Sequence, residues 1–180
     1  MRRYVLTGTP GAGKTAILHA LADRGHTVVE EAATEVIARA QAAGEAEPWT
    51  RASFIDEVVT LQRRRQLATT DAAIQIYDRS PICTHTLATY LGHPVSRALA
   101  TELDRIASQA IYQPQVLFIR NLGFCEPTPA RRITFTESLA FERLHEHTYR
   151  TFGYDLIDIP AADLSRRVDA VEAVIASTQP

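Results

Sequence analysis

Lysine is almost absent from this chain of 180 residues: a single one, Lys14, stands against eighteen arginines. Because Lys14 sits inside the segment GTPGAGKT, no N-K-x-D motif exists, and the guanine-specific switch proteins that read their base with it are excluded. The two cysteines, Cys83 and Cys125, are too few for a disulfide framework and predict free thiols in a reducing cytoplasm. No apolar run approaches the roughly 20 residues that span a bilayer. The first segment reads directly as a strand, which predicts no signal peptide ahead of it. A net charge of −2 gives no general attraction to nucleic acid or to anionic membranes. At 180 residues there is no room for the extra helical domain that large ring-forming motor ATPases carry after their sheet.

What the chain does have is a hydrophobic fraction of 46% with 22% charged residues, enough for one globular domain over residues 1–180. Strand-like and helix-like patterns alternate along it. Strands are predicted at Arg3–Thr7, Thr27–Glu30, Ala73–Asp78, Gln115–Ile119 and Asp155–Ile159. Helices are predicted at Ala16–Arg24, Ala33–Ala43, Thr50–Thr69, Ile82–Leu91, Ser96–Gln109, Phe135–Thr151 and Leu164–Ser177. Thr134 and Glu137 have the spacing of a capping box at the start of one of them. Five strands with helical crossovers predict an α/β three-layer sandwich around a parallel sheet.

The segment Gly8–Thr15 fits G-x-x-x-x-G-K-[ST] in full, after an apolar strand and before an apolar-periodic helix. Gly8, Thr9, Pro10, Gly11, Ala12 and Gly13 are read as a backbone cradle for phosphates, closed by the positive end of the helix. Lys14 reaches the β- and γ-phosphates as a point charge, a task that the larger, planar guanidinium performs poorly. Thr15 supplies a hydroxyl for Mg²⁺. Asp78, at the end of the strand AIQIYD, is the candidate acid on the metal side, and Arg79 the candidate phosphate clamp. A plain strand-end ion pair is the alternative.

Ligands of open α/β sheets bind at the carboxyl ends of the strands. Glu30 and Glu31 follow the second strand there, and Glu31 is the candidate that holds or deprotonates an acceptor hydroxyl. A helix N-terminal charge partner is the competing role. Phe54, Val58 and Gln62 recur at i, i+4 and i+8, either as an acceptor wall with Gln62 as its polar tip or as a core stripe. The segment 121–134 is read as a lid that brings Arg131 and Arg132 over the phosphates, or else as a loop with two exposed arginines. Pro160, after the fifth strand, is placed to pack beside adenine. Arg63, Arg64 and Arg65 spread around a helix and make no single basic face. His145 and His147 point to opposite sides of theirs, so no zinc site is read from them.

The order GTPGAGKT, VVEEAATEVI, F-x-x-x-V-x-x-x-Q, YDRSP and FGYDLIDIP resembles one family. It is the P-loop ATPase/kinase family that includes the nicotinamide riboside kinase domain of bacterial NAD-biosynthesis regulators and whose members often carry an AAA-type ATPase label. The resemblance spans nearly the whole chain, with the phosphate loop as its one individually specific motif. It implies a P-loop kinase fold of sheet order 2-3-1-4-5, with ATP and Mg²⁺ as cofactors. Thr34 stands where many relatives carry arginine, so an acceptor contact made by that arginine does not transfer. The expected activity is an ATP-dependent kinase phosphorylating a hydroxyl of a nucleoside-like or other polar metabolite, antibiotics included. A nucleotide-gated regulatory module without an acceptor is the alternative. Neither nucleic acid nor membrane is an expected partner; the oligomer is a monomer or a dimer.

Overall fold

The computed structural model describes residues 1–68, 70–125 and 133–178. In chain order the elements are β1 (Arg2–Thr7), α1 (Lys14–Asp23), β2 (Thr27–Val29), α2 (Ala32–Ala42), α3 (Ser53–Leu67), β3 (Ile74–Asp78), α4 (Pro81–Leu91), α5 (Arg97–Ser108), β4 (Gln115–Ile119), α6 (Phe135–Thr151), β5 (Asp155–Ile159) and α7 (Leu164–Ser177). They fall into two compact units, one of Met1–Glu30, Ala72–Asp78 and Tyr112–Pro180, the other of Glu31–Asp71 and Arg79–Ile111.

The first unit holds the sheet. Its five strands are all parallel and lie in the order β2-β3-β1-β4-β5, the order implied by the resemblance. Apolar runs such as VLT and QVLFI suit strands buried on both faces. Tyr4, Leu6, Ile76, Leu117, Ile119 and Ile159 alternate onto one face and pack on α1 and α7 through Ile17, Leu21, Val168, Val171 and Ile175. Val5, Val116 and Phe118 alternate onto the other face and are also buried. Register pairs Leu6 with Asp78 and Thr7 with Phe118, which aligns the carboxyl ends of β3, β1 and β4. The capping box at Thr134 and Glu137 is formed as the spacing predicts and starts α6.

The second unit contains α2 to α5. Its core includes Val36, Phe54, Ile55, Val58, Ile82, Leu99 and Ile106. Inside it Glu102 is 3% exposed and takes both arms of Arg105, at 2.9 and 2.7 Å.

Helices α2, α4 and α5 shift by one residue at one or both ends from the sequence reading, and two helix starts differ by more. Helix α1 begins at Lys14 rather than Ala16, so Lys14 and Thr15 stand in its first turn. The helix read as Thr50–Thr69 is a short 3-10 turn at Pro48–Thr50 followed by α3 from Ser53. Arg51 between them is extended, at φ −91° and ψ 140°, and its guanidinium holds Glu45 at 2.7 Å, Ser53 at 2.8 Å and Glu57. Those contacts compete with continuation of the helix.

Candidate active site

The phosphate loop leaves β1 at Thr7 and enters α1 through Gly13, whose backbone is left-handed at φ 80°. Gly8 lies so close to β4 that a methyl group on it would stand 2.3 Å from the carbonyl oxygen of Ile119. The first turn of α1 contains no acid, and no side chain caps it. The helix therefore presents its amide N–H groups and positive end to an anion. Lys14 is 6% exposed and donates to the Thr9 carbonyl at 2.7 Å and the Gly8 carbonyl at 3.4 Å. The ammonium thus rests on carbonyls of the loop itself, while Thr15 beside it is exposed. A close glycine backbone, a helix end free of acid and a buried ammonium on neutral acceptors all fit a polyphosphate.

Asp78 closes β3 and is 4% exposed. In the same unit as the loop, it pairs across the sheet with Leu6, two residues before Gly8. A hydroxyl at Thr15 and a carboxylate at Asp78 suit Mg²⁺, which keeps several waters and takes few protein ligands.

In the helical unit, Arg79 adopts φ 72°, a left-handed conformation that is costly for a residue with a Cβ. Its Nε meets Glu31 Oε1 at 2.5 Å, with 11% and 24% of the two side chains exposed. Thr34 donates to the other oxygen of Glu31 at 2.9 Å. Glu31 is the N-cap residue of α2 without a side-chain cap bond, so its carboxylate serves this pair and not the helix end. Thr34, singled out as a departure, thereby has a place in the structure as the third member of the group. Burial holds the nearby-in-sequence His85, on α4, below the usual histidine range.

The other predicted residues are placed as follows. Glu30 is exposed, 3.9 Å from Nε2 of His19. Phe54 is 1% exposed and Val58 1%, both core residues of the helical unit. Gln62 accepts from the Thr84 hydroxyl at 2.8 Å. Pro160 is exposed after β5. Arg131, Arg132 and half of the predicted lid, residues 126–132, lie outside the described residues. Arg63 and Arg65 turn to Glu102 and Glu35, while Arg64 is exposed. His145 is buried with Nδ1 3.0 Å from the Phe141 carbonyl, and His147 is exposed.

Three residues of the sheet unit near the loop were not read as site residues from the sequence. Arg167, on α7, is 3% exposed; Nη2 donates to the Arg120 carbonyl at 2.9 Å, and a methyl group on Gly13 would stand 3.1 Å from Nη1. The available signal was phase, because Arg167 precedes Val171 and Ile175 by one and two steps of four on the apolar stripe. Arg120 bonds Glu142 at 3.1 Å, Asp158 at 2.8 Å and Glu146, and lies 4.5 Å over the Phe118 ring. Burial pulls its pKa down, but bonds to Glu146 and Asp158 outweigh this and hold the guanidinium above its ordinary range. Cys125 Sγ would lie 3.0 Å from a methyl group on Gly11.

Comparison with known proteins places this geometry. Deoxyadenosine kinase from M. mycoides is similar over 97% of this chain and 99% of its own, with a TM-score of 0.62 and 13% identity. NadR in complex with NR is similar over 98% of this chain, with a TM-score of 0.70 and 17% identity, and this chain spans 50% of it. Shikimate kinase from Acinetobacter baumannii covers 99% of this chain and 95% of its own, with a TM-score of 0.59 and 12% identity. At such identities the likeness is one of fold, and it is the fold of P-loop kinases. No curated protein matches the chain. A family model described as an AAA domain matches residues 3–167, from β1 to the buried arginine of α7, and the chain belongs to that family.

Proposed function

We propose that this protein is an ATP-dependent phosphotransferase that moves the γ-phosphoryl group to a hydroxyl of a small polar metabolite, nucleoside-like in size. The observation that carries the reading is the phosphate loop, where buried Lys14 rests on the Gly8 and Thr9 carbonyls at a helix end free of acid. The solved neighbours, among them kinases named for deoxyadenosine and shikimate, support a small acceptor.

In this reading the loop amides hold the polyphosphate, and Lys14 leaves its carbonyls for the β- and γ-oxygens. Thr15 and Asp78 would hold Mg²⁺, which when bound neutralises charge on the polyphosphate. The Glu31–Arg79 pair, braced by Thr34, orients the acceptor hydroxyl. A loose, dissociative transfer needs positioning and charge neutralisation more than a strong base. Arg79 balances Glu31, so the carboxylate is held in one orientation.

The test is ADP release from Mg-ATP across a panel of nucleosides and other polyhydroxylated metabolites. Acceptor-stimulated release that Lys14→Ala abolishes is the expected result. Failure to bind any nucleotide at millimolar concentration would remove the reading altogether. Nucleotide binding without a stimulating acceptor, together with a protein partner that separates the ATP from the ADP form, would make the protein a nucleotide-gated module.

A further inference from the structure

Arg167 is the one arginine that is fully buried among the described residues, and three half-buried ones set the contrast. Arg79 meets Glu31, Arg105 meets Glu102, and Arg120 meets three acids. Arg167 is 3% exposed, yet among the described residues no carboxylate pairs with it and its Nε has no hydrogen-bond partner. Its one hydrogen bond there goes to the Arg120 carbonyl, a neutral acceptor. Burying a charge without a counter-ion is expensive, and burial pulls the Arg167 pKa below its ordinary value.

The position of that charge is specific. Nη1 is 3.1 Å from where a methyl group on Gly13 would stand, and Gly13 is the residue through which the loop becomes α1. Lys14, the next residue, is a second buried cation and donates to the Thr9 and Gly8 carbonyls. Two cations and a helix N-terminus with no acid in its first turn converge on one loop.

We infer that Arg167 is a positioning residue for the nucleotide: its guanidinium backs Gly13 and finds its counter-charge in the polyphosphate seated on the loop. This rests on the nucleotide-binding reading above. It predicts an electrostatic dependence that a merely structural brace does not have, because the benefit of the charge scales with the charge of the ligand.

Calorimetric titration of AMP, ADP and ATP, with Mg²⁺ held constant, into wild type, Arg167→Met and Arg167→Lys tests it. Arg167→Met should weaken ATP binding by about tenfold or more, ADP less and AMP least, while the urea midpoint without nucleotide is no lower than wild type. Arg167→Lys keeps the charge and should retain ATP affinity to within about threefold. An ATP affinity unchanged in Arg167→Met would overturn the assignment. So would a loss of the same factor for all three nucleotides, or a lysine variant as weak as the methionine one. A wild-type chain that binds none of the nucleotides would overturn the underlying reading, and this inference with it.

Discussion

Replacing Gly8 by alanine should be among the most damaging single-methyl changes in the protein. The new Cβ would lie 2.3 Å from the Ile119 carbonyl oxygen and 3.2 Å from its carbon. Both are backbone atoms at the end of β4, a strand hydrogen-bonded to β1 and β5, so neither can swing aside. The backbone at Gly8 also has φ +129°, a region that costs a residue with a Cβ about 1–3 kcal/mol. Overpacking adds about 1–3 kcal/mol, giving about 2–6 kcal/mol in total. For a chain of this size each kcal/mol moves the melting midpoint by about 2–4 °C. Gly25→Ala is the control, because Gly25 has φ +89° with nothing within 4 Å of a new methyl group. It carries strain alone, about 1–2 kcal/mol. Urea denaturation of both variants measures the difference, which isolates the collision with Ile119. If Gly8→Ala is no less stable than Gly25→Ala, the close approach of loop and strand is wrong, and with it the account of why glycine stands first in the motif.

Lys14→Ala should lower phosphoryl transfer by about 10²–10³-fold, as for loss of a transition-state charge contact, and Lys14→Arg should not restore it; steady-state ADP formation checks both. Asp78→Asn should damage background hydrolysis and acceptor-dependent transfer together, while Glu31→Gln should spare nucleotide binding and selectively lower acceptor stimulation, by up to about 10²-fold as for a misplaced acceptor hydroxyl; rates with and without acceptor separate the two roles. Glu137 accepts from the Thr134 amide at 2.8 Å and from its hydroxyl at 2.7 Å, and these bonds hold its carboxyl below the usual range. A depressed folded-state pKa gives stability that is present above the ordinary carboxylate value and is lost as pH falls through the lower one. Glu137→Gln should therefore flatten the acid limb of stability, read from urea midpoints between neutral pH and about pH 3.

Local patterns told most of what is local in this molecule. β4, β5, α6 and α7 have the ends read from the sequence, because apolar alternation, helical phase and a capping box are properties of neighbours in the chain. The phosphate loop was legible for the same reason: its glycines, its lysine and the flanking strand and helix occupy one continuous stretch. Tertiary structure decided the partners. Nothing near Glu31 in sequence announces Arg79, which reaches it across 48 positions from a left-handed backbone. Arg51 stops a helix that propensity alone would continue, because Glu45 and Glu57 hold it from both sides. The phase of LSRRVDA puts Arg167 on the apolar stripe of α7, but its place beside Gly13 is decided only when α7 packs on the sheet. Periodicity along one helix specifies which side chains face inward. Which distant charge, carbonyl or loop they then meet is set by how separate elements pack, and that information lies in no single segment of the chain.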